Sequence, residues 1–78
     1  MSLASEQRRA LALLASDERG ATEALMMAHG FRREMLAGLV LAGLATVTTE
    51  TMRAGATPIK VERYRITDDG RAALAARE

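Results

Sequence analysis

The side chains in this sequence that could catalyse a reaction or bind a metal ion form no recognisable catalytic or metal-binding pattern. There is one histidine, His29, and no cysteine, so a disulfide scaffold and a thiolate zinc site are both excluded. His29 falls at a predicted helix end and Asp68 and Asp69 at a predicted helix start, where interaction with the helix dipole accounts for them. Ser5 and Ser16 have no base near them in sequence. Because no nucleophile, base and orienting group come together, we expect no enzymatic activity, no cofactor and no metal.

A second group of side chains suits contact with a polyanion. The whole chain carries a net charge of only +1. Residues 52–66 nevertheless carry a local charge of +3, since one acid, Glu62, stands against four cations: Arg53, Lys60, Arg63 and Arg65. Such cations bind nucleic-acid phosphates, but charges also keep an exposed edge strand soluble. The sequence alone leaves these two interpretations open.

Two further arginines, Arg32 and Arg33, begin a predicted helix. Arginine donates to base edges and to phosphates. Glu34, Ala37 and Leu41 share the outward face of that helix with Arg33, and only Arg33 among them is a good reader of bases. The alternative is that both arginines are ordinary solvated charges at a helix start.

Helical periodicity predicts the elements that position the arginines of the first half. Apolar residues recur at helical spacing over residues 3–15, 23–29 and 32–44, which predicts three helices. Gly30 and Gly43 suit the left-handed position that ends the second and third of them. We expect these side chains to face inward: Leu3, Ala10, Leu11, Leu14, Leu25, Ala28, Met35, Leu36 and Leu39.

The pattern then changes to that of a β-hairpin. Residues 46–52 are rich in β-branched side chains and residues 59–66 alternate, so we predict two strands joined by a loop of roughly six residues, 53–58. Tyr64 and Ile66 share the strand face that leans on the helices. Thr67 is predicted to cap a last short helix that runs from Asp68 to about residue 77.

Length and composition indicate one small domain spanning residues 1–78. The sequence is 49% hydrophobic and 27% charged, which is typical of a globular chain. A chain of 78 residues has room for one core, so a cleft between two domains is excluded. The apolar run 35–45 is too short to span a membrane, and the first residues lack the order of a signal peptide. We therefore expect a soluble, cytoplasmic protein.

Several large apolar residues exceed what one small core needs. Methionine is common at adaptable contact surfaces, although each residue taken singly is more often a core residue. Leu41 is the hardest to bury within one chain. Because exposed apolar patches mark interfaces and most homo-oligomers are two-fold dimers, we predict a homodimer or partner interface formed by Met26, Val40, Leu41 and Met52.

Three segments together resemble the winged helix-turn-helix domain of bacterial transcriptional regulators of the MarR-like or ArsR-like kind. Residues 22–31 (TEALMMAHGF) look like the positioning helix and turn, residues 39–45 (LVLAGLA) like the end of a recognition helix, and residues 64–74 (YRITDDGRAAL) like the segment that closes the wing. The sequence also looks like small alphaproteobacterial proteins of this layout. The resemblance implies an α+β fold with three helices, a hairpin wing and a short C-terminal helix, in a protein that is usually dimeric.

The resemblance implies a small DNA-binding transcriptional regulator. Arg32 and Arg33 would meet the major groove or its phosphates. Arg53 and Lys60 would meet the backbone at the wing, supported by Arg63 and Arg65. The span from Gly30 to Gly43 is about one helical turn shorter than in typical members. The alternative is therefore a winged-helix module that binds a protein or a second copy of itself through the outer face of residues 33–41, without specific DNA binding.

Overall fold

Four helices and three antiparallel strands make up residues 3–76, the part of the chain that the computed structural model describes. The predicted α+β class is confirmed. In chain order the elements are α1 (Ser5–Ala15), β1 (Ala21–Thr22), α2 (Glu23–Ala28), α3 (Arg33–Leu41), β2 (Ala45–Ala54), β3 (Thr57–Ile66) and α4 (Asp68–Ala75).

The turns after α2 and α3 are built by glycines, as predicted. Gly30 has φ +93° and Gly43 has φ +78°, a conformation that a side chain disfavours. The amide of Gly30 donates to the Met27 carbonyl and the next amide donates to the Met26 carbonyl. The same pair of bonds ends α3 at Leu41. These Schellman turns make α2 and α3 shorter than predicted and start the following segment at once.

α4 is fixed at both ends. Thr67 caps it as predicted, since its hydroxyl accepts from the Gly70 amide at 2.9 Å and donates to the Gly43 carbonyl at 2.7 Å. A guanidinium nitrogen of Arg8 in α1 donates to the Leu74 carbonyl at 2.8 Å. The helix ends at Ala75, earlier than predicted, because Ala76 has extended backbone. The predicted end near residue 77 itself lies outside the described residues.

The hairpin is longer and its loop is shorter than predicted. β2 and β3 pair in register from Ala45 opposite Ile66 to Ala54 opposite Thr57. Only Gly55 and Ala56 connect them, so the prediction of a six-residue loop is wrong. Gly55 has φ +65° and Ala56 does not have positive φ, which is the pattern of a type II′ turn that lets strands pair up to the tip.

The sheet has a third strand, which was not predicted from the sequence. β1 has two residues, Ala21 and Thr22, which pair with Tyr64 and Arg63 of β3. The strand order is β1-β3-β2. β1 pairs with the edge of β3 that β2 leaves open, and the chain continues directly from β1 into α2.

The core lies between the helices and one face of the inner hairpin. Its fully buried large side chains are Leu11, Leu14, Met26, Leu36 and Leu39. The inward faces predicted for α1 and α3 are confirmed, and Tyr64 and Ile66 face the helices.

The inward face predicted for α2 is wrong. Leu25 is 44% exposed and Ala28 is also exposed, whereas Met26 is fully buried. A six-residue helix makes fewer than two turns. The four consecutive apolar residues at positions 25–28 therefore surround the helix, and their pattern does not show which side faces the core.

The outer part of the hairpin extends past the helices. Each strand has ten residues, which corresponds to about 33 Å. All residues from 51 to 60 are exposed, and the molecule measures 49 × 22 × 21 Å. We call residues 51–60 the outer hairpin.

Candidate nucleic-acid interface

The outward face of α3 is the one that the sequence predicts. Arg33, Glu34, Ala37 and Leu41 are all exposed. Arg32 is also exposed and occupies the N-cap position, with extended backbone and no hydrogen bond from its side chain to the cap. Both arginines therefore lie at the start of α3 and at its surface.

Arg33 is held by a carboxylate of the preceding helix. Its Nη2 donates to Glu23 Oε1 at 2.9 Å and its Nε donates to the same oxygen at 3.2 Å. The Arg33 side chain remains 67% exposed while that of Glu23 is 17% exposed. The guanidinium is thus anchored along one edge, while most of the side chain is open to solvent.

Glu23 has a second partner, in the sheet. The Tyr64 hydroxyl donates to Glu23 Oε2 at 3.2 Å. Tyr64 is only 5% exposed. Burial, and then the negative charge of Glu23 and its hydrogen bond, raise the pKa of Tyr64 above its ordinary value of 10.0. One carboxylate therefore joins α2, α3 and β3.

The cations of the outer hairpin share a sheet face. Arg53 lies opposite Pro58 and Lys60 opposite Thr51, which makes Arg53 and Lys60 diagonal neighbours. Counting by alternate residues, this is the face of Tyr64. Both cations are exposed.

Arg63 and Arg65 point from the opposite face of the hairpin, at its base. Arg63 Nε donates to Glu50 Oε1 at 3.0 Å, and the Arg63 side chain is 11% exposed. Arg65 Nε donates to the Arg19 carbonyl at 3.3 Å, and Arg63 Nη1 reaches the same carbonyl at 3.5 Å. The two predicted supporting arginines thus share a face, but they fasten the hairpin to the loop before β1 and do not extend the surface of Arg53 and Lys60.

An open hollow of about 400 Å³ lies beside the start of α3. Phe31 lines it and is 6% exposed. The guanidinium carbon of Arg9 in α1 lies 5.8 Å from the centre of the Phe31 ring, within cation–π range. The other lining residues are Met27, Gly30, Arg32, Arg33 and Glu34.

The residues predicted for an apolar interface are separated. Leu41 is 90% exposed at the end of α3, and Met52 is 50% exposed on the outer hairpin. Val40 is half-buried and packs against the core. Met26 is fully buried within this chain, so its assignment to an interface is corrected: its side chain fills the core under α2.

The bonds of Glu23 to Arg33 and Tyr64 were not predicted from the sequence. Glu23 lies in the first turn of α2, where a carboxylate interacts favourably with the helix dipole. Its partners lie 10 and 41 positions further along the chain. No local pattern connects them, and only the pairing of β1 with β3 brings α2 beside Tyr64.

Two other kinds of site are absent from residues 3–76. Within that range no helix is long and apolar enough to cross a membrane. The same residues contain no group of three or more histidine, cysteine, aspartate or glutamate side chains that could hold a metal ion.

Comparison of the chain with protein-family models, with curated proteins and with solved structures gives no match.

Proposed function

We propose that this chain is a winged helix-turn-helix domain that binds duplex DNA and acts in the cytoplasm as a small bacterial transcriptional regulator. The order α1-β1-α2-α3-β2-β3-α4, the tight turn between α2 and α3 and the long hairpin support it. In this interpretation α3 is the recognition helix and the hairpin is the wing. DNA binding also requires a surface that can hold the duplex, because a fold alone does not determine a function.

The position of Arg53 and Lys60 carries the proposal. Tyr64, on their face of the sheet, belongs to one core cluster with Leu36 and Leu39 of α3. The helices therefore cover the inner part of this face, and the two cations emerge from its outer part on the same side as α3. One duplex can then meet the start of α3 and the outer hairpin together.

The surface formed by the start of α3 and the outer hairpin has the composition of one that binds DNA with few contacts to bases. Arg32, Arg53 and Lys60 supply charge to phosphates, whereas the charge of Arg33 is paired with Glu23. Beyond Arg33 and Glu34, the outward face of α3 offers Ala37 and Leu41, which cannot hydrogen-bond to bases. We expect binding to many sequences with a modest preference.

Salt dependence tests the proposal. Three phosphate contacts per chain give a slope of log K against log salt of about −2.7, measured by fluorescence anisotropy on a random-sequence duplex between about 50 and 200 mM salt. Arg53→Ala and Lys60→Ala should each reduce the slope by about one. Arg71→Ala, on the exposed side of α4, is the matched control and should leave it unchanged. No binding at low salt by the folded protein would contradict the proposal.

The exposure of Leu41 favours a second candidate, a protein-interaction module. A leucine that is 90% exposed at the end of a helix suits contact with a second copy of the chain. This candidate predicts a homodimer that Leu41→Arg converts to monomer, measured by light scattering. Ala72→Arg adds the same charge on α4 and should not change the mass. A wild-type mass equal to that of one chain, 8.4 kDa, would contradict this candidate.

A further inference from the structure

We propose that Arg33 reads a guanine in the major groove and that Glu23 is the positioning residue that orients it. This inference rests on the proposed function and adds the specificity-determining residue and the base that it recognises. It follows from which edge of the Arg33 guanidinium is occupied and which is open.

The guanidinium has two edges that can each make a pair of parallel hydrogen bonds. The Nε edge, formed by Nε and Nη2, faces Glu23 at 3.2 and 2.9 Å. The terminal edge, formed by Nη1 and the second hydrogen of Nη2, points away from that carboxylate. A guanine presents two acceptors, O6 and N7, to such a fork. Arg33 can therefore keep its bond to Glu23 while it binds a guanine.

The carboxylate that holds Arg33 is itself fixed. Glu23 lies in the first turn of α2, its side chain is 17% exposed, and its Oε2 accepts from the buried Tyr64 hydroxyl at 3.2 Å. A long arginine side chain loses rotamer freedom when it binds. Here Glu23 and Tyr64 restrict that freedom before DNA binds. A guanidinium held in one orientation suits a directional contact with a base better than a non-directional attraction to phosphate.

The neighbours of Arg33 lack either its fixed orientation or its hydrogen-bond donors. Arg32 lies at the N-cap, and no carboxylate pairs with its side chain among the described contacts. Its charge therefore suits a phosphate. Ala37 and Leu41 offer only apolar contact. One bidentate arginine on the outward face predicts preference at a single G·C pair in each bound site.

The experiment first selects bound duplexes from a random pool. It then compares two dissociation constants: the Kd for the selected duplex and the Kd for a duplex in which one G·C pair is replaced by A·T. For the wild type, a bidentate contact predicts that the ratio of the Kd of the substituted duplex to the Kd of the selected duplex is roughly ten or more. Arg33→Lys keeps the charge but replaces the planar fork by a single ammonium group, so the ratio should fall several-fold while the salt slope stays unchanged. Arg71→Lys is its matched control and should keep the ratio.

The role of Glu23 is tested by the same ratio. Glu23→Gln and Tyr64→Phe should each lower the ratio several-fold without changing the salt slope, and circular dichroism checks that each variant is folded. Glu18→Gln makes the same change of charge in the exposed loop before β1 and should keep the ratio.

The outcomes separate this inference from the proposed function. Absence of all DNA binding by the wild type contradicts both. Salt-dependent binding without base preference, or a ratio that is the same in Glu23→Gln, Tyr64→Phe and the wild type, overturns the inference and leaves the proposed function standing.

Discussion

The hydroxyl of Tyr64 donates a hydrogen bond to the carboxylate of Glu23 at 3.2 Å, across 41 positions of sequence. The bond links the first turn of α2 to the buried face of β3. Through the other oxygen of Glu23 the link continues to Arg33 at the start of α3. The start of the proposed recognition helix is therefore tied to the base of the proposed wing by three side chains.

Ionisation of Tyr64 reports on this link. The chain has one tyrosine and no tryptophan, so tyrosinate absorbance in the near ultraviolet follows Tyr64 alone. Because burial and Glu23 raise its pKa, the midpoint in the folded protein should lie above that of the chain unfolded in urea. Glu23→Gln removes the negative charge and should shift the midpoint down. Equal midpoints for folded and unfolded protein would contradict the contact.

The raised pKa of Tyr64 also sets a pH dependence of stability. A phenol with a higher pKa in the folded state binds its proton more tightly there, so its contribution is complete below the ordinary value of 10.0. The free energy of unfolding should decrease as the pH rises through and above that value, measured by urea denaturation. Tyr64→Phe should flatten this decrease, and an unchanged slope in that variant would show that other groups cause it.

Two helical glycines should respond oppositely to the same substitution. A Cβ on Gly38 in α3 meets nothing within 4 Å, so Gly38→Ala should stabilise the protein by about 0.5–1 kcal/mol. A Cβ on Gly70 in α4 would collide with the Leu44 carbonyl and lie 2.7 Å from Ile66 Cγ1, so Gly70→Ala should destabilise it. Thermal unfolding measures both, with about 4–8 °C expected for each kcal/mol. Shifts of the same sign would show that α4 does not pack closely against Leu44.

The buried and outward faces of α3 can be distinguished by truncation. Leu39 is fully buried and Leu41 is 90% exposed. Leu39→Ala should cost about 2–5 kcal/mol because it leaves a cavity, whereas Leu41→Ala should stay within about 0.5 kcal/mol. Urea denaturation followed by circular dichroism measures the difference. Similar losses for the two variants would mean that Leu41 is covered in solution.

The ion pair between Arg63 and Glu50 should contribute to stability rather than to DNA binding. The Arg63 side chain is 11% exposed, so Arg63→Ala should cost about 1.5–3 kcal/mol, as for hydrogen bonds to charged groups. Arg53→Ala is the control and should cost almost nothing. A double-mutant cycle with Glu50→Ala should give a coupling energy above about 0.5 kcal/mol. Additive losses would contradict a direct interaction.

Local chemistry made part of the fold predictable from the sequence. Gly30 and Gly43 were expected at helix ends because glycine tolerates positive φ. Thr67 was expected to cap α4, and strand alternation placed Tyr64 and Ile66 toward the helices. Each of these features depends on residues a few positions apart.

Features that depend on distant partners were not predictable. β1 exists because Ala21 and Thr22 pair with β3. Met26 rather than Leu25 is buried because the packing around a short helix decides its rotation. Within the candidate site, exposure of Arg53 and Lys60 was predictable from their hairpin positions. The ion pairs that occupy Arg33 and Arg63 were not, since each joins elements that are separated in sequence.

The proposed contact between this surface and DNA can be mapped residue by residue. We would titrate isotope-labelled protein with a random-sequence duplex and map the backbone amide shifts by NMR. The proposal predicts perturbation at the start of α3, around Arg32 and Arg33, and along the outer hairpin around Arg53 and Lys60. A spectrum that stays unchanged at low salt, or changes confined to α1 and α4, would contradict it.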